Sequence, residues 1–158
     1  MTDQSAELAT AWDTNCAINR VILDAVSDGG LHCTLSTRGG RGVSGEFAHM
    51  HNIRLAHLEK RAKDLASGVV KLDASSKPSR ATLRKAFKQS DAAIRSLLIG
   101  VLNEEAKRRG FKRGIYTTLS YFIAHEAHHR GRILLTLKVS KHTLDKDTQM
   151  KIWAWDQI

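Results

Sequence analysis

The sequence IYTTLSYFIAHEAHHRGRILLTLKV, residues 115–139, contains no proline and no strict alternation of apolar and polar side chains. A segment of this length without the two-residue period of a strand predicts one long α-helix. Residues four apart share a helix face, so His125 and His129 point together while His128 is rotated away. The pair shares its stripe with other inward positions, namely Phe122, Ile133 and Thr136. The segment thus predicts a helix with two imidazoles on its buried face.

Three further segments show apolar residues at helical spacing. They are residues 8–26, residues 44–66 beginning at a capping serine, and residues 80–107 following the only proline. A glycine-rich loop separates the first two, and residues 144–158 predict a short C-terminal helix or turn. The sequence therefore predicts an all-α fold. We expect a single domain over residues 1–158, built as an up-and-down four-helix bundle.

Composition narrows the class of protein. A chain of 158 residues can bury a core without disulfide or metal staples. Its two cysteines, Cys16 and Cys33, form no CxxC motif and are interpreted as reduced, unreactive thiols. No signal-like or membrane-spanning apolar segment is visible. We therefore expect a cytoplasmic protein that does not enter a membrane.

The chain is strongly basic, with 25 Lys and Arg against 16 Asp and Glu and a net charge of +9. Such a charge attracts phosphate-rich or otherwise anionic partners. The clusters KRAK, RATLRK and KRRGFKR would suit nucleic-acid binding as an alternative function. The low aromatic content and the lack of a recognisable motif argue against that alternative.

The spacing of His125 and His129 allows them to share one metal ion. Two neutral imidazoles buried together need donors that an apolar core does not supply, but hydrogen-bonded core histidines remain an equally open interpretation. A third ligand must come from another helix. The same spacing occurs in HExxH zinc proteases, where a glutamate follows the first ligand. Here Glu126 is expected to lie off the ligand face as a solvated, salt-bridging residue.

Three segments resemble the DinB/YfiT-like family of small four-helix metalloproteins. HEAHHRGRI, residues 125–133, resembles the family's HxxxHRGQI element, and FAHMHNIRLAHLEK, residues 47–60, resembles its second-helix segment. WDTNCAINRVI, residues 12–22, resembles the asparagine and arginine pattern of its first helix. The order of segments from residue 110 to the tryptophan-containing end follows one subgroup, so the likeness spans almost the whole chain.

The resemblance implies one divalent metal ion, zinc, nickel or iron, held by His49, His125 and His129. His51 is the alternative to His49, because two residues on a helix point about 200° apart and only one can face the site. Asn19 is a candidate contact for a ligand or substrate, and a hydrogen bond within the bundle is an equally open alternative. Arg132 stands where the family usually has glutamine, which adds positive charge near the site and makes it a second candidate contact. The resemblance also implies a homodimer.

Three histidine ligands leave a coordination position open to water or substrate, the pattern of a catalytic rather than a structural site. Characterised relatives in the family include transferases and isomerases that use low-molecular-weight thiols. The resemblance therefore predicts an enzyme that activates such a thiol, or water, for transfer to, or hydrolysis of, a small electrophilic substrate. The alternative is a metal-binding stress protein, induced by DNA damage, that has no catalytic turnover.

Overall fold

The computed structural model describes residues 3–158. Its helices are α1 Asp3–Ala25, α2 Asp28–Leu31, α3 Val43–Arg61, α4 Lys63–Ala66, α5 Arg80–Leu102, α6 Ile115–Val139 and α7 Lys146–Lys151, with a 3-10 turn at Ala74–Ser76. Residues 3–158 contain no strand, only an isolated bridge between Phe111 and Gly114. The predicted all-α class is confirmed, and four of the helices are long. In the same range no helix combines the length and apolar character needed to cross a membrane.

Three predicted boundaries shift for local reasons. The second predicted helix ends at Arg61, because Ala62 leaves the helical region at φ −160° and only the short α4 follows. It is preceded by Gly42 rather than capped by Ser44, which lies inside its first turn. The third ends at Leu102 instead of continuing to residue 107.

Each long helix passes through two apolar clusters. One cluster contains Ile22, Phe47, Phe87 and Ile133, and the other contains Trp12, Leu58, Ile94 and Phe122, all at most 1% exposed. The two clusters form the core and are built on α1, α3, α5 and α6, with α1 and α3 each packed against both α5 and α6. Buried polar residues lie between the clusters on every one of these helices.

The order of the clusters along each helix corrects the predicted up-and-down arrangement. Helices α3 and α5 both run from the first cluster to the second, while α1 and α6 both run the other way. The long helices α3 and α5, which follow one another apart from the short α4, are therefore parallel. The chain between them returns along α3, where Asn52 exchanges hydrogen bonds with the backbone of Leu72 at 2.7 and 2.9 Å. Sequence spacing could not reveal this return because it is fixed by side chains of α3.

Candidate metal centre

Three histidines from two helices converge. α3 supplies His49 and α6 supplies His125 and His129, and their candidate ligand nitrogens all lie within 4.8 Å of one another. The Nε2 atoms of His125 and His129 are 3.1 Å apart. Two nitrogens bound to one tetrahedral ion at about 2.0–2.1 Å would lie about 3.3 Å apart. The α6 pair thus already has the spacing of two ligands on one ion, although an N–H of His125 donating to His129 would fit the same distance.

His51 lies on the opposite face of α3 and is fully buried. Its Nε2 lies 2.9 Å from the carbonyl oxygen of Val70, and its Nδ1 lies 3.1 Å from the hydroxyl of Ser90. A carbonyl only accepts, so Nε2 carries the proton and Nδ1 accepts from the serine. Both ring nitrogens are therefore engaged, and His49 is the member of the pair that faces the α6 histidines.

Glu46, one turn before His49, fixes the orientation of His129. Its Oε2 lies 2.6 Å from His129 Nδ1, and the carboxylate is only 3% exposed. Because the carboxylate accepts, the proton sits on Nδ1 and the lone pair of Nε2 points into the cluster. Arg132, predicted to contact a cofactor or substrate, places Nε 3.0 Å from Glu46 Oε1 and has a half-exposed side chain. Arg132 therefore contacts the carboxylate that orients His129.

The histidines of the cluster are held in the neutral form. Burial, followed by the charges of Arg41, His129 and His125, lowers the pKa of His49 to about 4. Burial is also the main cause that lowers the pKa of His125 and His129, although the hydrogen bond and charge of Glu46 oppose it at His129. Metal ligands must be deprotonated, so these imidazoles are ready to bind an ion at neutral pH.

Asn19, the other predicted contact residue, lies in a buried polar layer. Its Nδ2 donates to Glu126 Oε2 at 2.6 Å, and its Oδ1 accepts from Arg130 at 2.8 Å. Asn15, one turn earlier, makes the same two kinds of bond at 2.6 and 2.7 Å. The amide groups of both asparagines thus link Arg130 to Glu126 within the core.

Glu126 is 1% exposed, so the expectation of a solvated residue is wrong. Its carboxylate accepts from Arg54 Nε at 2.6 Å and from Arg54 Nη2 at 3.0 Å, a two-point ion pair. Burial alone would raise the pKa of Glu126, but Arg54 and the asparagine amides lower it below its ordinary value. The expected salt bridge is present, but it lies in the core, so Glu126 holds helices together.

Arg54 and Arg130 were not predicted as buried residues, because cations interrupt apolar stripes and are normally exposed. One signal was available. Asn15 and Asn19 lie four residues apart on the inward stripe of α1, and two buried amides require buried polar partners. Cys16 belongs to the same layer, and burial raises the pKa of its thiol well above the ordinary value. That agrees with the prediction of an unreactive cysteine.

Aromatic side chains flank the cluster on α6. The Tyr121 ring stacks on His125 at 5.8 Å between centroids, with 15° between planes. His57 packs edge-on against Phe111 and Phe122 rather than facing the cluster. His128 is exposed, as expected for its face of the helix.

His49 lines an open cleft of about 710 Å³ whose other walls include Arg41, Asn52 and Lys71. His49, one of the three histidines of the cluster, is therefore accessible to a small molecule from this cleft. Comparisons with protein-family models, with curated proteins and with solved structures find no match to this chain. The resemblance to the DinB/YfiT-like family accordingly stays a prediction from the sequence.

Proposed function

We propose that the chain is a divalent-metal-binding protein of the DinB/YfiT-like kind, whose four long helices form a bundle around a centre of His49, His125 and His129. The observation that carries the proposal is the convergence of three neutral imidazoles within 4.8 Å. A chain that buried these rings only for packing would give each nitrogen its own polar partner, as it does for His51.

We further propose that the protein is a metal-dependent enzyme acting on a small electrophilic substrate. When bound, a zinc, nickel or iron ion on three imidazoles offers open positions and acidifies a coordinated low-molecular-weight thiol or water. The chain contributes the neutral ligands, the carboxylate of Glu46 that orients His129, and the open cleft beside His49. In the thiol reaction, the sulfur forms a bond to the electrophile as the leaving group departs, and the thiol proton is lost to solvent.

Elemental analysis of protein purified without an affinity tag tests the metal. We expect about one divalent ion per chain in the wild type and a loss of affinity by orders of magnitude in His129→Ala. The matched control is His128→Ala, which removes the exposed neighbour and should keep the stoichiometry. His49→Ala and His51→Ala, compared in the same assay, should separate the proposed ligand from the packed histidine. Equal losses within either pair, or wild-type protein that refuses zinc and nickel, would contradict the proposal.

A second assay separates an enzyme from a non-catalytic stress protein. Metal-loaded protein is titrated with candidate thiols and electrophiles, and product formation is compared with that of His129→Ala. Product formed only by the loaded wild type supports turnover. Metal binding without any product supports the binding alternative. A homodimer is part of the same proposal and is tested by sedimentation equilibrium, where the mass of one chain would exclude it.

A further inference from the structure

The glycine-rich loop before α3 borders a second cavity, of about 450 Å³. Its walls are the loop, the first turn of α3 and the return segment at residues 74–77. Arg41 and Lys77 line the cavity, and no described Asp or Glu does. Neither cation forms an ion pair with a residue of the described chain. The cavity is therefore electropositive.

The first turn of α3 presents free backbone donors there. Gly42, which precedes the helix, provides no side-chain cap. The N–H of Val43 donates to Cys33 and the N–H of Glu46 donates to Gly42, both at 2.9 Å. Within residues 3–158 the N–H groups of Ser44 and Gly45 have no acceptor. Free N–H groups and the positive end of the helix dipole favour a negatively charged ligand.

The hydroxyl of Ser44 is an independent indication of a ligand. Ser44 is only 2% exposed and lines the cavity, and no described residue gives its hydroxyl a hydrogen bond. Its oxygen is not enclosed in the packed core, as Glu46 Oε1 and Arg108 Nε are, and so it is accessible from the cavity. An oxygen atom of a ligand in this cavity would supply the missing partner.

The nearest carboxylates do not neutralise the cavity. Glu46 accepts from His129 through Oε2 and forms an ion pair with Arg132 through Oε1, although Oε1 accepts no hydrogen bond. Asp73 accepts from the backbone and hydroxyl of Ser75 at 2.9 and 2.6 Å. The two cations, the free amides and the hydroxyl therefore remain available together. This donor set matches a group with several charged oxygens, such as phosphate, better than a single neutral acceptor.

The cavity adjoins the histidine cluster. Arg41 and Ala74 line both this cavity and the cleft that contains His49. His49 follows Val43 by six residues, which is about 9 Å along a helix. A small molecule could place an anionic group at the start of α3 and another group at the histidines.

We propose that the start of α3, with Arg41, Lys77 and Ser44, is a binding site for the phosphate-like group of a small molecule whose other end reaches the histidine cluster. The anion site stands on its own geometry. The placement of the other end rests on the proposed function. The site adds a substrate class to that function, namely thiols or electrophiles that carry an oxyanion group on the order of 10 Å from the reacting atom.

Calorimetric titration of inorganic phosphate tests the site. The full chain is used metal-free, with chelator present, in a phosphate-free buffer at about 0.15 M ionic strength, where charges beyond roughly 8 Å are largely screened. We expect saturable binding that Arg41→Gln and Ser44→Ala each weaken by about tenfold, as is usual for losing a hydrogen bond to a charged group. Arg38→Gln is the matched control, because it removes the same charge from the same loop but not from the cavity wall, and it should change affinity less than about twofold.

Equal effects of Arg41→Gln and Arg38→Gln would show diffuse attraction to a basic chain and would overturn the proposal, as would the absence of saturable binding. Circular dichroism melts of the variants verify that each still folds. Failure of metal binding with phosphate binding intact would refute the proposed function and leave the anion site standing. Metal binding without phosphate binding would refute the anion site and leave the proposed function standing.

The placement beside the histidines has its own test. In cobalt(II)-loaded protein, paramagnetic relaxation of the phosphate ³¹P signal should place the phosphorus outside the coordination sphere of the ion, at a separation on the order of 10 Å. That relaxation should vanish in His129→Ala, which loses the ion, while phosphate affinity is kept. Direct coordination to cobalt, seen as far stronger relaxation, would overturn the two-ended arrangement.

Discussion

Arg54 and Glu126 form an ion pair whose side chains are 0% and 1% exposed, at the centre of the polar layer between the two apolar clusters. Arg54 also donates to Ser90 at 3.0 Å and to Asp91 at 2.5 Å, so one side chain connects three helices. Burying two charges is costly, and the cost is offset only when every donor and acceptor is matched. The completeness of this layer makes it sensitive to the loss of any one member.

We predict that Glu126→Gln lowers the free energy of unfolding by about 1–3 kcal/mol, the usual cost of leaving buried donors without an acceptor, since Arg54 keeps its ion pair with Asp91. The glutamine side chain would also place an N–H donor against the N–H groups of Arg54, Asn15 and Asn19, which themselves need an acceptor. Urea unfolding at pH 7 measures the effect. Glu59→Gln is the control, since Glu59 is exposed on α3, and a change within about 0.5 kcal/mol is expected there. Equal stability of the two variants would contradict a structural role for Glu126.

His57 provides a prediction about pH. Burial, followed by the charges of Arg61, Lys60 and His125, lowers its pKa to about 4, and Arg61 Nε donates to its Nδ1 at 3.3 Å. The unfolded chain, with an ordinary value near 6.5, then binds more protons than the folded chain between pH 4 and 6.5. Stability must rise with pH across that window, by at most about 1.4 kcal/mol per pH unit for one histidine.

His57→Gln should therefore flatten the acid side of the stability profile. The measurement is urea unfolding between pH 4.5 and 7, with chelator present to exclude metal effects. His32→Gln, at an exposed position, controls for the loss of one histidine. Identical slopes in wild type and His57→Gln would show that protonation of His57 does not oppose folding.

The junction of α1 and α5 shows how one element is held by another. Arg80, the first residue of α5, donates to the carbonyl oxygens of Leu23 and Val26 at the end of α1 and to Asp28 at 2.8 Å. The last carbonyls of a helix have no partner within it, and a cation near them also interacts favourably with the negative end of the helix dipole. The planar guanidinium bonds several of these acceptors at once.

Arg80→Lys is expected to lower the free energy of unfolding by about 1–2 kcal/mol, because one ammonium cannot reproduce the fork of bonds. Arg84→Lys, one turn later, is the matched control. Its ion pair with Asp24 joins two half-exposed side chains and should matter by less than about 0.5 kcal/mol. Chemical unfolding of both variants checks the difference, and a larger effect at Arg84 would contradict the assignment.

The elements predicted from sequence are those with a local cause. Apolar spacing located α1, α3 and α5, and a long segment without strand alternation located α6. The four-residue spacing on α6 placed His125 and His129 on one face. The contact of His49 with them depends on how α3 packs on α6, so spacing left His51 open as an alternative. The polar layer was missed for the same reason, because Arg54 and Glu126 acquire partners only across helices. The anion cavity likewise needs the loop, α3 and residues 74–77 together.

Across the whole molecule, helix direction is set by connections that carry little local pattern. The return of residues 67–79 along α3 makes α3 and α5 parallel, whereas short loops would have made them antiparallel. This return also brings residues 74–77 beside the start of α3, where they complete the cavity that Arg41 lines. The connection that makes the up-and-down prediction wrong therefore also forms one wall of the proposed anion site.

The last prediction concerns what holds the molecule together when metal is removed. Both apolar clusters and the layer of Arg54, Glu126, Asn15 and Asn19 join α1, α3, α5 and α6 without using His49, His125 or His129. We therefore expect chelation to leave helical circular dichroism largely unchanged at 25 °C. An ion that binds only the folded state still adds about 2.7 kcal/mol at 100 times its dissociation constant.

For a chain of this length that contribution corresponds to a melting temperature about 5–10 °C higher with metal than without it. Thermal melts with chelator and with saturating zinc measure the shift, and His129→Ala should show none on adding zinc. If chelation instead abolished the helical signal at 25 °C, the ion would be required for folding. The proposal that the ion has a chemical role would then fail. Folding of the core would depend on the ion, and the three imidazoles would be explained by that structural role alone.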